Sequence, residues 1–378
     1  MRSSGELHTN VIAFSRKREL AGCQKVFTRV NWMHARFLGP NLDTHIRLPP
    51  MSSFPSNWTF LHVNDSHLGT ARSYRFRPAI NQRWAAIKRQ MAATDSEFLL
   101  HGGDFTRDGQ THEFEYLQAR EDLDTLPFPS FCIPGNMDVG NKHAATNGDK
   151  SLNKNNWDWH DPNLNMTASR LDLFASYFGP IHWTFLYRNV RFTGFYGAVA
   201  GSGLPHEVRL WRLLERLPTL PRAEYHVAMM HYWPFIEQPD EPAWDNTVAD
   251  QYDNWYFSLD GPHRQRIWQH LRDANVDILF CGHVHTGRPV QNVDGIRLFR
   301  TCAAGNTAQM VDRWPDIDTR SGFQRCDVTS SGINVTFVPG DDQCDEFDSF
   351  GPMGHPPIDE RDYSIAREQP ALAPDPHR

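Results

Sequence analysis

Between residues 58 and 338, short apolar runs alternate with longer segments of helical period. The runs 58–63, 98–101, 130–133, 182–187, 190–196, 225–230 and 276–281 are largely apolar and short, the pattern of buried strands. The segments 78–93, 111–123, 168–178, 206–217 and 262–274 repeat their apolar positions every three or four residues, which predicts helices. After residue 289 only strand patterns remain, at 290–293, 296–301, 323–329 and 333–338. The turns Asp294-Gly295 and Ser331-Gly332 there are hairpin signals. Alternating units followed by a β meander predict an α/β (α+β) architecture of stacked mixed sheets flanked by helices.

Two segments interrupt this order. Residues 139–166 are rich in Asn and carry His143, Trp157, Trp159 and His160. Residues 236–260 are acidic and aromatic, with Trp244, Tyr252, Trp255, Tyr256 and Phe257. Long loops within a domain are commonly functional, so both segments are expected to act as lids. Residues 1–57 show no sustained period and are expected to form an irregular extension, with Met51 a candidate true start. From residue 341 the chain is acidic and Pro-rich, which predicts an extended tail. One domain, 58–340, lies between them.

Charge divides along the same lines. The 378 residues carry a formal net charge of -7. Residues 1–57 hold eight Lys/Arg against three Asp/Glu, and residues 340–378 hold three against ten. The middle is therefore mildly acidic, which argues against a nucleic-acid partner, since such binding needs a basic footprint. No stretch approaches about 18 uncharged apolar residues, so no membrane-spanning helix is expected. The N-terminus lacks the apolar core of a signal peptide. The six cysteines are scattered, with no Cys-x-x-Cys. Together these features predict a reducing, cytoplasmic setting.

The chemistry sits in five polar clusters, each directly after an apolar run. They are Asp65-Ser66-His67, Gly103-Asp104, Gly135-Asn136-Met137-Asp138, His231, and Gly282-His283-Val284-His285. Ligands in open α/β sheets bind beyond the carboxyl ends of strands, so the clusters are expected to converge on one rim. Asp65, His67, Asp104, Asn136, His231, His283 and His285 offer mixed oxygen and imidazole donors. That set suits a pair of divalent or trivalent Mn, Fe, Zn, Co or Ni ions better than a metal selected by soft thiolates. Asp104 can bridge two ions through its two carboxylate oxygens. His62 and His101 are expected to be ordinary core histidines.

This order of motifs resembles the calcineurin-like metallophosphoesterase superfamily. The resemblance covers about residues 58–340 and rests on DSH, GD, GNMD, His231 and GHVH. Within it, GGDFTRDG, CIPGNMD and CGHVHTGRP look most like the branch of the class III cyclic-nucleotide phosphodiesterases. GNMDVGN is also similar to the eukaryotic calcineurin-like phosphoesterase-domain phosphatases. The resemblance implies a four-layer sandwich of two mixed sheets flanked by helices. It further implies that Asp65, His67 and His285 hold a first metal, that Asn136, His231 and His283 hold a second, and that Asp104 bridges. Asp104, Asn136 and Asp138 are the expected catalytic residues. Two ions about 3.5–4 Å apart lower the pKa of a bridging water and clamp the phosphoryl oxygens, and the hydroxide then attacks phosphorus in line. The expected partner is a small phosphoester, above all a diester with a cyclic-nucleotide, aryl or pyrophosphate-type bond.

Met137 departs from the family pattern Gly-Asn-His-Asp, in which the His assists the leaving group. A thioether cannot donate a proton. Asp138 is nearby, but adjacent cations would keep it ionised. His143 and His160, on the first lid, are the candidate substitutes. Purple acid phosphatases place a Tyr three residues after the bridging Asp; here that position is Arg107, a candidate phosphate contact. Tyr232, Trp233 and the second lid could stack on a flat group such as a base. Three other readings remain: a phosphomonoesterase or protein phosphatase, a metal-binding scaffold with weak turnover because of Met137, and a nuclease.

Overall fold

The computed structural model describes residues 57–70, 73, 78–143, 164–305 and 313–341. The expected extension through residue 56, Met51, His160, most of the first lid and the tail from residue 342 lie outside the described residues. Chain order is β1 (Trp58–Val63), α1 (Pro78–Ala92), β2 (Leu99–His101), α2 (Glu113–Asp124), β3 (Ser130–Cys132) and the single-turn α3 (Asn136–Val139). Next come α4 (Ala168–Phe178), β4 (His182–Tyr187), β5 (Val190–Phe195), α5 (Pro205–Arg216), β6 (Tyr225–Met229) and α6 (Ala249–Phe257). The remainder is α7 (Gly261–Asp273), β7 (Ile278–Cys281), β8 (Gln291–Val293), β9 (Ile296–Arg300), β10 (Gly322–Thr329) and β11 (Gly332–Pro339).

The expected strands and helices are present, with ends moved by at most two residues. Local chemistry explains the boundaries. The Thr167 hydroxyl caps α4 by accepting from the Arg170 N–H at 3.2 Å. Proline opens α5 at its first turn, where no N–H partner is needed. Asp294 and Gly295 both take positive φ, at 53° and 86°, and close the β8–β9 hairpin. Helix α6 corrects the expectation of an irregular second lid. Its aromatic residues at 252, 255 and 256 have helical spacing, but an acidic surround obscures the period.

Two mixed sheets form the centre. One has strand order β11-β10-β1-β2-β3, the other β4-β5-β6-β7-β9-β8. The parallel pairs are β1–β2, β2–β3, β5–β6, β6–β7 and β7–β9; the outer strands pair antiparallel. The inner faces meet through Trp58, Phe60, Phe98 and Leu100 from the first sheet and Phe192, Val227, Met229 and Phe280 from the second. Alternate residues of the same strands, Leu61, Val63 and Leu99, join the outer core with Trp84, Ile87 and Met91 of α1. Strands β1 and β2 are therefore buried on both faces, which is why their sequences read as continuous apolar runs. The Trp84 indole N–H donates to Asp122 at 2.6 Å and ties α1 to α2.

Parallel strands place all their carboxyl ends on one edge. Asp65, Asp104 and Asn136 follow β1, β2 and β3, while His231 and His283 follow β6 and β7. The two sheets thus bring their five polar clusters to one shared rim.

Candidate metal centre

Backbone conformation singles out this rim. Among the described residues, the non-glycine residues with positive φ include Asp65 (56°), His67 (49°), Asp104 (53°), His283 (74°) and His285 (58°). The left-handed region is costly for residues with a Cβ, so tertiary structure must enforce it. These turns point short side chains back into the rim. Gly135 allows a close approach: a Cβ there would collide with the backbone nitrogen and the carboxylate of Asp104.

The donor atoms form two overlapping groups. Asp65, His67, Asp104 and His285 present ligand atoms within 4.8 Å of one another, as do Asp104, His231 and His283. Asp104 belongs to both. Its Oδ1 accepts the Met137 N–H at 2.8 Å, leaving Oδ2 at 3.7 Å from His67 Nε2 and 3.2 Å from His231 Nε2. Oδ2 faces both groups, while the Met137 N–H fixes the orientation of Oδ1. Asn136 joins the second group, with Oδ1 at 3.2 Å from His231 Nε2.

Surrounding groups fix which atoms face inward. The Gly102 carbonyl lies 2.9 Å from His231 Nδ1 and can only accept, so Nδ1 carries the proton and Nε2 faces the site. The Tyr256 carbonyl likewise engages His283 Nε2 at 3.0 Å, and His283 Nδ1 is buried without a hydrogen-bond partner. Asp65 receives the His283 N–H at 3.0 Å and the Asn64 side-chain amide. The Thr301 hydroxyl orients that amide. Asn64 was missed at the sequence level, although it directly precedes Asp65.

Burial and the clustered carboxylates shift the titration of this site. Burial, assisted by Asp104, raises the Asp65 carboxyl to about 7. Burial pushes His231 down, but Asp104 and Asp65 together outweigh it and lift the imidazole to about 9. Burial and the neighbouring His231 hold His283 low. Protons thus gather where buried carboxylates need positive charge. The donor set, the unpartnered His283 Nδ1 and the facing imidazole nitrogens of His67 and His285, 2.9 Å apart, all fit divalent cations in their place.

Other expected residues sit differently. Asp138 is buried, and its carboxylate accepts from Gly135 N at 2.9 Å, Thr106 N at 3.0 Å, Thr106 Oγ1 at 2.8 Å and Phe105 N at 3.3 Å. It stitches the Asp104 and Asn136 turns together. Tyr232 and Trp233 are buried, so they offer no open face for a base; Tyr232 packs against His283 with ring centroids 4.1 Å apart. Tyr252, Trp255, Tyr256 and Phe257 are buried too, so the second lid packs inward. Arg107, the candidate phosphate contact, is buried. His143 Nε2 engages the Met166 carbonyl at 2.8 Å, outside both donor groups. His62 and His101 are core residues, stacked on Phe280 and Phe105.

Residues 59–287 match the model of the calcineurin-like phosphoesterase family. Among solved structures, purple acid phosphatase PPD1 from yellow lupin (Lupinus luteus) seeds is similar in fold, with a TM-score of 0.51 and 13% identity over 78% of this chain and 53% of that one. This chain thus spans about half the length of that phosphatase. GAP50, the anchor in the inner membrane complex of Plasmodium, aligns with a TM-score of 0.44 and 12% identity over 77% of this chain and 87% of that one. A dimetal phosphatase from Danio rerio aligns with a TM-score of 0.41 and 13% identity over 75% and 96% of the two chains. A search of curated protein sequences returns no match. No helix among the described residues is long and apolar enough to cross a membrane. With more than half of its length matching the family model, the chain belongs to the calcineurin-like phosphoesterase family.

Proposed function

We propose that the protein hydrolyses phosphodiesters or other phosphoesters with good leaving groups, in the manner of the class III cyclic-nucleotide phosphodiesterase branch. In this reading Asp65, His67 and His285 would hold one cation, Asn136, His231 and His283 would hold a second, and Asp104 would serve both. Mn, Fe or Zn suits these donors. Two such cations supply a centre that acidifies water and neutralises charge on the phosphoryl oxygens.

The chain's own residues do the positioning. The Met137 N–H keeps the shared carboxylate turned inward. The Gly102 carbonyl keeps His231 in the tautomer that presents Nε2. Stacked on these, the buried turns exclude water from the back of the site.

One observation supports the leaving-group preference. The position that carries a proton-donating His in the family is Met137, and the adjacent Asp138 accepts hydrogen bonds at both oxygens. A thioether has no proton to give, and both Asp138 oxygens are turned into the chain rather than left open to a leaving group. A panel of aryl diesters, cyclic nucleotides, pyrophosphate-bonded nucleotides and alkyl monoesters, run with Mn, Fe and Zn, tests the reading. Aryl and pyrophosphate-type substrates should turn over at least about 10²-fold faster than alkyl esters, the usual contribution of general acid catalysis. Equal turnover of both classes would remove the diester reading. Monoester turnover alone would assign a phosphatase. Substituting Met137→His should raise alkyl-ester turnover selectively.

A further inference from the structure

The second lid was expected to face a substrate. Its helix α6 faces the metal centre from behind instead, and one residue touches two of the candidate ligands. The Tyr256 phenol oxygen lies 3.1 Å from Asn136 Nδ2, and the Tyr256 carbonyl lies 3.0 Å from His283 Nε2. The two contacts solve the same chemical problem for different side chains. We infer that Tyr256 is a positioning residue that turns Asn136 and His283 toward the second cation and thereby sets its affinity. This inference rests on the reading of those two residues as ligands.

An asparagine amide has an oxygen end and a nitrogen end of nearly equal shape, and only the oxygen can bind a cation. Here the amide nitrogen has three acceptors in reach: the Tyr256 hydroxyl, Asn141 Oδ1 at 3.2 Å and the weaker Met137 Sδ at 3.4 Å. The Tyr256 hydroxyl also reaches Asn141 Oδ1 at 3.5 Å, so its lone pairs remain for Asn136. Asn136 Oδ1 is thereby turned toward His231 Nε2. A flipped amide would set two carbonyl oxygens, those of Asn136 and Asn141, against each other and aim N–H groups at the cation. For His283 the fixed quantity is the tautomer. A carbonyl only accepts, so Nε2 carries the proton and the buried Nδ1 keeps a bare lone pair. The Tyr256 ring lies against the same imidazole, with centroids 4.9 Å apart.

Tyr256 is itself held from both sides. The Phe257 carbonyl accepts from Trp233 N at 3.1 Å, and Leu259 N donates to the Trp233 carbonyl at 3.0 Å. Lys142, next to Asn141, donates to the Ser258 carbonyl and to Asp260, each at 2.7 Å. The end of α6 is therefore tied to the loops that carry His231 and Asn136.

Titration of metal-free protein with Mn(II) alone, read by calorimetry and by bound-metal analysis, tests the role. The wild-type chain should bind two ions. Tyr256→Phe removes only the hydroxyl; it should weaken the second ion about 10–100-fold and leave the first unchanged, the usual effect of losing a hydrogen bond behind a ligand. A carboxylate presents oxygen whichever way it turns. In an Asn136→Asp background, Tyr256→Phe should therefore cost less than about 3-fold, well under that range. Equal losses in both backgrounds would make Tyr256 a packing residue and overturn the inference. Unchanged affinity in Tyr256→Phe with slower turnover of poor leaving groups would also overturn it, because the phenol would then act on substrate. If the wild-type chain binds fewer than two ions, the ligand assignment itself fails, and that result is distinct from both.

Discussion

The two halves of the metal centre are built by different means. In the first, Asp65, His67, Asp104 and His285 all take left-handed backbone, so the peptide chain itself aims the side chains. In the second, His283 shares that backbone, but Asn136 sits in the single helical turn α3 and His231 follows β6 without positive φ. There, outer contacts do the aiming: the Gly102 carbonyl, Asn141 and Tyr256. Backbone-aimed ligands resist substitutions around them but are sensitive to what fits inside the turn. Ligands aimed by side-chain contacts are sensitive to residues distant in sequence that never meet a cation.

Asp104 stands at the junction, and its loss should erase the difference. Asp104→Asn is expected to lower kcat/KM by about 10³-fold, the scale of losing a main electrostatic contact at a reacting centre. Bound metal should fall in both halves, whereas His285→Ala should empty only the first. Metal analysis of the two variants checks this, and a full second site in Asp104→Asn would show that the halves are independent.

The next effect isolates the support behind the second half. The segment leading into α6 is organised around buried Glu241, which pairs with the Arg264 guanidinium at 3.2 Å and accepts from Ile236 N at 2.9 Å and the Trp244 indole at 3.1 Å. Glu241→Ala leaves a buried cation unpaired, which costs about 3–5 kcal/mol. Urea unfolding should show that loss, and the weaker second-ion affinity should accompany it. Retention of both would detach α6 from the site.

A smaller effect probes the backbone-aimed half. Gly135→Ala places a methyl against Asp104, and the fold can relieve it only by moving a turn. Overpacking of this kind costs about 1–3 kcal/mol. The loss should appear in the thermal midpoint of metal-free protein, and a variant as stable as wild type would show that the turn yields freely.

The smallest effect concerns the foot of β6, the strand leading to His231. Burial holds His226 down at about 4, against the opposing pull of its Ala274 hydrogen bond. Its folded value lies below the unfolded value of about 6.5, so between these pH values the unfolded chain binds the extra proton. Stability should therefore fall as pH drops through that window, by up to about 1.4 kcal/mol per unit. His226→Gln should flatten the slope of urea midpoint against pH; an identical slope would remove His226 as its source.

Much of this centre is legible in the chain. Strands buried on both faces write themselves as unbroken apolar runs, and turns at their carboxyl ends concentrate polar residues, so the rim clusters stand out. What stays hidden lacks a local signature. The carbonyl of Gly102 has no side chain to announce it. Tyr256 meets Asn136 across 120 positions of sequence, and its neighbours suggest only an aromatic patch. Asp138 looks like a free carboxylate until its four donors, three of them backbone N–H groups, are seen. Helix α3 is too short to show a period.

The left-handed turns at Asp65, His67, Asp104, His283 and His285 carry a consequence for how this chain can change over generations. At each of them glycine would suit the backbone better than the residue present. Backbone comfort and an intact centre therefore pull these positions in opposite directions. In any lineage that abandons catalysis while keeping the scaffold, glycine or asparagine should appear at these five positions before the surrounding core changes.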